Sequence, residues 1–431
     1  MLKRPASFHY NDKGKACLGS FELDALAETY GTPLYVLDKA TIEKNADSFL
    51  TPLKQEYPNS KVLYASKANF TIGLAQLMHR LGLNLDVSSG GELYTAIKAR
   101  VPAKKIYFHG NNKTLNELKL AIDYGVSIII DNTQELENLK QLLDPSEKQI
   151  NVSVRLKPEI DAHTHEYIRT GQLDSKFGIE RKDLDAFIHS LKQCPNLKLV
   201  GIHSHIGSQI FDEKPFLELI DILLPLLKRV KAEHGIHIQE LNCGGGMGIY
   251  YTNEDSPIEL KDFVSKFTKQ LKAACNEQGL DQPTLLFEPG RSMIGPAGMT
   301  LYTVGAIKRI EGVKNYIFID GGMADNPRPI MYQAKYEVAN SQKSSAPQEA
   351  FSIAGKYCES GDILAEDLLL SEPKVGQVLA FFATGAYNYS MASNYNRNTR
   401  PAMILVDGDT VHELLARETY DDLLRFDKEL K

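Results

Sequence analysis

The 431-residue sequence has no surplus of positive charge: 49 Lys and Arg stand against 55 Asp and Glu, a net charge of -6. Nothing in that balance favours a nucleic acid or an anionic membrane as partner. Cysteine is scarce. The five present, Cys17, Cys194, Cys243, Cys275 and Cys358, form no CxxC pair and keep no regular spacing, which argues against a zinc centre or a disulfide scaffold and fits a reducing compartment. The opening residues MLKRPASFHYNDKGK lack the apolar h-region of a secretory signal. No apolar run approaches the roughly 18 residues a membrane helix needs, and there is no internal repeat or long low-complexity tract. These absences leave the expectation of a cytoplasmic protein, without metal, that acts on small molecules.

What is present suggests two domains, since the chain exceeds the roughly 250–300 residues at which one core stops growing. Eight short apolar runs follow one another: VLYASKAN from Val62, LNLDVSS at 83–89, KIYFHGN at 105–111, VSIIIDN at 126–132, INVSVRLKP at 150–158, LVGIHSHIG at 199–207, LNCGGG at 241–246 and LLFEPGRS at 285–292. The stretches between them read as amphipathic helices, with Ile72, Leu74, Leu77, Met78 and Leu81 on one and Phe216, Leu219, Ile220, Leu223 and Leu227 on another. Such alternation means parallel strands joined by helical crossovers, and eight repeats favour a closed (β/α)8 TIM barrel over residues 36–294. Lys67, Asp86, Asn111, Asp131, Arg155, His205, the glycine triplet and Glu288 all fall at or just past the C-terminal ends of these runs, where a barrel gathers its active-site groups. From about residue 295, β-rich runs such as MTLYTVGAIKRI, YIFID, QVLAFFAT and AMILVDG predict an all-β domain over 295–431. Residues 1–35 are assigned to the same domain, and the segment before Leu34, too short for a core of its own, could add a strand to it. The polar stretch from about residue 338 through NSQKSSAPQEAF reads as a loop.

Lys67 closes the first run, in Tyr64-Ala65-Ser66-Lys67-Ala68-Asn69. A lysine there is either a solvated strand end or a reactive amine. Gly244-Gly245-Gly246 is either a tight turn or a cradle that lets backbone N–H groups approach a phosphate, and Ser208 and Glu288-Pro289-Gly290-Arg291 lie at neighbouring strand ends. Amine, phosphate site and carboxylate together describe pyridoxal phosphate, with Glu288 on the ring nitrogen. A carboxylate about 4 Å from that nitrogen is worth roughly 4 kcal/mol at an effective dielectric near 20, or about three pKa units, enough to keep it protonated. His205 either stacks on the ring or is satisfied within the barrel mouth.

The motifs YASKAN, DVSSGGEL, FHGNNK, SKFGI, HSHIGSQ, CGGGMGI, EPGRS, DGGMADNPRP, CESGD and GAYNYSMASNYN occur in this order. With them the chain resembles the fold-type III pyridoxal-phosphate decarboxylases, nearest their diaminopimelate-cleaving branch, over almost its full length. The resemblance implies an alanine racemase-like barrel plus a C-terminal all-β domain. It implies Lys67 as the lysine bonded to pyridoxal 5'-phosphate, His205 on the ring face and Glu288 on the ring nitrogen. Ser208, Gly244, Gly245, Gly246 and Tyr387 hold the phosphate, with Asp86, Arg155, Gly290 and Arg291 beside them. Arg291, Arg328, Tyr332, Glu359 and Tyr387 would hold substrate. Cys358 and Glu359 would come from the second subunit of a head-to-tail homodimer, and the Cys358 thiol is the candidate proton donor to the carbon that loses carbon dioxide.

Three departures from the family pattern lie close to these residues: Ser66 where an apolar residue is common, Lys356-Tyr357 where a proline and an apolar residue are usual, and Thr384 and Asn388 flanking GAY. An arginine plus an acid, Arg328 and Glu359, suits a substrate end that carries both carboxylate and ammonium. Decarboxylation of meso-2,6-diaminopimelate to L-lysine, a step of lysine biosynthesis, is therefore the expected reaction. The alternatives are an ornithine, lysine or arginine decarboxylase of the same fold, or a cofactor-binding regulatory homologue without catalysis.

Overall fold

In the computed structural model, which describes residues 3–143, 149–160 and 175–430, each of the eight runs is a strand with most of its residues shut away from water. They are β1 (Ser60–Ala65), β2 (Asn84–Val87), β3 (Ile106–Phe108), β4 (Ser127–Ile130), β5 (Ile150–Arg155), β6 (Leu197–His203), β7 (Glu240–Asn242) and β8 (Thr284–Phe287). All neighbours pair in parallel, and the sheet closes where Leu285, Leu286 and Phe287 of β8 pair with Ser60, Lys61 and Val62 of β1. Parallel strands covered on both faces read as continuous apolar runs, and Val62, Leu63 and Tyr64 are all buried for this reason. Inside the barrel Leu63, Tyr107, Ile129 and Leu286 pack into one cluster. At the strands' N-terminal ends Glu240 Oε1 takes hydrogen bonds from Lys61 Nζ (2.5 Å) and the Tyr107 hydroxyl (2.9 Å), tying β1, β3 and β7 together across the barrel.

The crossover helices form where expected. Ile72–Arg80 begins at Thr71, whose side chain accepts the Leu74 N–H, and it buries Leu74, Ala75, Leu77 and Met78. Ile72, expected on that face, is instead about half exposed (48%) because it stands in the first turn, before the helix reaches the sheet. Lys214–His234 buries Phe216, Leu219, Ile220, Leu223 and Leu227 as its spacing predicts. Among the described residues no helix is long and apolar enough to cross a membrane.

The chain divides into two compact units, Ala46–Gly248 with Ser256–Ser292, and Leu2–Asn45 with Ile249–Asp255 and Met293–Lys431. The second is mostly sheet. Its strands run in the order Ile363–Ser371, Gln348–Ala354, Lys314–Ile319, Gly298–Ile310, Leu34–Asp38, Ala402–Asp407 and Thr410–Leu415, with Val378–Phe382 also pairing with Gly298–Ile310 and Val338–Asn340 pairing with Val378–Phe382. Leu34–Asp38, which a boundary at residue 36 would cut, is thus a central strand of this unit.

The residues before it form a separate three-stranded sheet, Phe8–Tyr10, Ala16–Leu18 and Phe21–Glu22, followed by the helix Leu23–Tyr30. This segment contributes Ala16, Leu18, Leu23 and Leu26 to the unit's core rather than a strand to its main sheet. The stretch read as a loop also carries structure. Gln348–Ala354 is a strand whose first three residues are exposed and whose last four are buried, so half of it is polar.

Leu286→Ala should remove about 2–5 kcal/mol of unfolding free energy, by loss of buried methyl groups and the cavity left behind. Urea denaturation measures this, and a loss below about 1 kcal/mol would mean the barrel interior is not closely packed at that layer.

Candidate active site

The register of the strands assembles the mouth. Asp86 pairs with Ala65 across β1 and β2, and Arg155, His203 and Asn242 are successive partners across β5, β6 and β7. Past β1 the chain makes a single turn of 3-10 helix, Ser66–Ala68, in which Lys67 is exposed while its neighbours are buried. That turn is held on several sides. The Ala65 N–H donates to Pro289 O (3.1 Å), and the Tyr64 hydroxyl donates to Asn69 O (2.5 Å). Ser66 explains its departure from an apolar residue: its hydroxyl lies 2.5 Å from Glu92 Oε2 and 2.7 Å from the Asp86 carbonyl. Gly290 is needed where it is, since a Cβ there would come within 3.0 Å of the Ala65 side chain.

Glu288 follows β8 and is buried. Its Oε1 accepts from Asn242 Nδ2 (2.7 Å), and His203 Nε2 lies 3.1 Å from Oε2. His109 Nε2 lies 2.8 Å from Oε1, an ion-pair distance whose direction does not make a hydrogen bond. The two imidazoles meet edge to face at 4.8 Å. Burial by itself would raise the Glu288 pKa, but His109 and His203 outweigh it and hold the carboxyl well below its ordinary value. Burial pushes His203 down to about 4, so it faces the carboxylate as a neutral ring donating from Nε2. Asp86 is pushed up to about 6, by burial first and by the Glu288 charge, against the pull of His109 and Lys67. Asp86 Oδ1 and His109 Nε2 are buried without hydrogen-bond partners.

The glycine triplet is built for close approach. Gly244 and Gly246 have φ of 66° and 113°, and a Cβ on Gly245 would stand 2.0 Å from Glu288 O. The Gly245 N–H points at His205 Nδ1 (3.3 Å). Burial, aided by the positive charges of Lys67 and Arg155, drives the His205 pKa well below its usual value, so this ring is neutral. Arg155 lies over the Phe177 ring at 4.4 Å and 3.6 Å from Asp131, which also accepts the Gly178 N–H. Arg291 donates from Nη2 to Ser208 Oγ (3.1 Å), which leaves the serine's own hydrogen available for an anion. Lys67, Asp86, Arg155, His205, Ser208, Gly244–Gly246, Glu288, Gly290 and Arg291 therefore gather at one end of one barrel.

The remaining expected residues lie in the second unit. Arg328 is buried, its guanidinium over the Tyr251 ring at 4.7 Å and near Tyr332 and Tyr336 at 5.9 Å, with Nη1 donating to the Tyr336 hydroxyl (2.9 Å). No carboxylate pairs with it among the described residues. Tyr387, at φ 62°, is also within its electrostatic reach. Cys358 and Glu359 are exposed on a tight turn. Sequence reasoning missed His109, His203 and Asn242 around Glu288, and Tyr251 and Tyr336 around Arg328. The first three stand at or just past the ends of the observed strands, but inside the apolar runs as the sequence shows them.

His203 makes the site's stability depend on pH. Its folded pKa of about 4 lies below the ~6.5 of a free imidazole. As pH falls from 6.5 towards 4 the unfolded chain takes up a proton that the folded chain refuses, so this contribution is full above 6.5 and lost on acidification. It amounts to about 3 kcal/mol. The stability advantage of the wild type over His203→Asn should shrink by that amount between pH 7 and pH 4 in urea titrations; a gap that stays constant would exclude His203 as the titrating group.

A family model described as pyridoxal-dependent decarboxylase, pyridoxal binding domain, matches residues 40–295. The chain is 44% identical to a diaminopimelate decarboxylase of Bacillus subtilis (strain 168), over 98% of this chain and 97% of that one. It is 42% identical to a diaminopimelate decarboxylase of Synechocystis, over 98% of this chain and 92% of the relative. The crystal structure of diaminopimelate decarboxylase from M. jannaschii in co-complex with L-lysine matches with a TM-score of 0.93 at 34% identity, covering 100% of this chain and 99% of that one. The mouth of the barrel fits pyridoxal phosphate: a carboxylate held ionised by burial-resistant donors, an unsatisfied buried Asp86 oxygen, an emergent lysine, and an arginine–serine pair beside a glycine triplet. With the family model covering more than half of the sequence and the relatives alike along nearly all of it, this chain belongs to the pyridoxal-dependent decarboxylases.

Proposed function

We propose that the protein removes carbon dioxide from meso-2,6-diaminopimelate to give L-lysine. The observation that carries this choice of substrate is Arg328, a buried guanidinium among tyrosines with no carboxylate partner in the described residues. A distal substrate carboxylate would complete it through two parallel hydrogen bonds. Ornithine and lysine carry no such group and would leave the charge unpaired. Glu359 supplies the acid for the distal ammonium. The names borne by the B. subtilis and Synechocystis relatives support the same reading.

Bound pyridoxal phosphate supplies an electron sink for the pair left on carbon when carbon dioxide departs. The chain's own groups do the rest. The Lys67 amine would hold the cofactor. Ser208, Gly244, Gly245, Gly246 and Tyr387 would hold its phosphate, and Arg291 would serve the phosphate and the substrate carboxylate. Ionised Glu288 would keep a proton on the ring nitrogen. Neutral His205 would stack on the ring without adding positive charge, and Asp86, Arg155 and Gly290 would complete the cofactor site. Tyr332 and Tyr387 shape the substrate end beside Arg328. The Cys358 thiol would deliver a proton to the carbon that has lost carbon dioxide. Cys358 and Glu359 act on the site of a second subunit in a head-to-tail homodimer. A cytoplasmic setting belongs to the same proposal, supported by five cysteines none of which is paired.

Side-by-side assays with meso-diaminopimelate, L-ornithine, L-lysine and L-arginine test the substrate, and preference for a substrate without the distal carboxylate would overturn it. Arg328→Gln should lower kcat/KM for diaminopimelate by about a hundredfold, the worth of one charge-assisted contact, with little change for ornithine. Shared sites are tested by mixing Lys67→Ala with Cys358→Ala subunits, each strongly impaired alone. Random reassociation into dimers should restore about a quarter of wild-type activity; no recovery in mixed dimers would place Cys358 and Lys67 in the same subunit's site.

A further inference from the structure

Tyr357, immediately before Cys358, stands where an apolar residue is usual, and the structure gives its hydroxyl a specific partner. The ring is buried, and the hydroxyl donates to Asp325 Oδ1 (3.1 Å). The same oxygen accepts the Gly322 N–H (2.9 Å), and Oδ2 accepts the Tyr302 hydroxyl (2.5 Å). Asp325 is 1% exposed. Burial pushes its pKa up to about 7 against the pull of these three donors, so each of them counts toward keeping it charged.

A second buried carboxylate runs beside the first. Asp362 accepts the Tyr357 N–H at Oδ2 (2.9 Å) and the Met323 N–H at Oδ1 (2.7 Å). The two aspartates thus lace the 357–362 turn to the 322–325 turn, one through backbone and one through the tyrosine side chain. A Cβ on Gly322 would meet Asp362 at 2.5 Å and the Tyr357 ring at 2.8 Å, so the two turns are packed as closely as glycine allows. On its other side the Cys358 N–H donates to Asn396 Oδ1 (2.9 Å), while the Tyr357 and Tyr395 rings lie 6.1 Å apart. The motifs DGGMADNPRP, CESGD and GAYNYSMASNYN are brought together at this one point.

We propose that Tyr357 is a positioning residue that fixes the direction of the Cys358 thiol by anchoring the turn to Asp325. The backbone bonds to Asp362 and Asn396 keep the turn folded. The hydroxyl bond adds the constraint they lack, because it fixes rotation of the segment about its own axis one residue before the thiol. An apolar residue in its place fills space but cannot make that bond. The inference rests on the reading that Cys358 delivers a proton to the reacting carbon.

The test is a cycle of Tyr357→Phe, Cys358→Ala and the double variant in the cofactor-loaded enzyme, with kcat, KM and the ratio of decarboxylation to transamination measured for each. Tyr357→Phe should lower kcat about tenfold, as for one misplaced hydrogen-bonded group, leave KM within about twofold, and raise the transamination share as Cys358→Ala does. In the double variant the loss should be no larger than in Cys358→Ala alone, since coupled residues are not additive. Tyr357→Leu should behave as Tyr357→Phe, which guards against a poorly folded variant. Unchanged kcat and product ratio in Tyr357→Phe, with Cys358→Ala slow, would overturn the positioning role, as would losses that multiply in the double variant. Full activity in Cys358→Ala would remove the cysteine reading and this inference with it.

Discussion

The ionised carboxylate of Glu288 is the constraint around which the barrel mouth is arranged. A buried carboxylate is unfavourable unless donors surround it. Here Asn242 and His203 donate from β7 and the end of β6, and the His109 ring closes in from the end of β3. These donors converge only if the strands keep their register, with His203 opposite Asn242 and Arg155 opposite His203. The same demand reaches the glycine triplet. Gly245 must pass so close to the Glu288 carbonyl that no side chain fits. The proposed phosphate cradle and the support for the carboxylate are therefore one piece of backbone, and a residue that spoiled the first would displace the second.

The second unit solves a similar problem with aspartates. Asp325 and Asp362 are buried, and among the described residues no cation pairs with them; backbone N–H groups and tyrosine hydroxyls solvate them. Hydrogen-bonded carboxylates of this kind fix geometry more than they add stability, because the desolvation penalty consumes much of what the bonds contribute. They explain why the motifs of this unit are rich in Gly, Asp and Asn rather than in apolar residues. Asp325 accepts the Gly322 N–H, Asp362 accepts the Met323 and Tyr357 N–H groups, and Gly322 passes too close to Asp362 for a side chain.

Much of the barrel was legible because both faces of its strands are covered. A run such as VSIIIDN has no alternation to be misjudged, and the polar residue that ends it marks the mouth. The sheet unit was harder to read for the opposite reason. Gln348–Ala354 is exposed over its first half, so its polarity imitates a loop, and the opening residues contribute core side chains from a small sheet of their own. Glu288, Lys67 and the glycines were visible as chemistry at strand ends. His109, His203 and Asn242 were not, since a single polar residue in an apolar run has no periodicity to expose it and its partner is set by register alone. The box around Arg328 was hidden by distance: Tyr251 arrives from a segment about 77 residues earlier, a separation no local pattern reports.

The two charged centres differ in a way that separates cofactor from substrate. Glu288 has its donors within the chain, so its charge is prepared before any ligand binds. Arg328 has aromatic faces and a tyrosine hydroxyl but, among the described residues, no acid. Cation–π contacts with Tyr251, Tyr332 and Tyr336, each worth about 0.5–2 kcal/mol, offset only part of the several kcal/mol that burying an unpaired guanidinium costs. The remaining deficit is a standing preference for an anion at that position. On the proposed reading, the distal carboxylate of the substrate relieves it. That asymmetry favours a substrate with a second carboxylate far from the reacting carbon, and it accounts for burying an arginine among tyrosines where a neutral side chain would have been more stable.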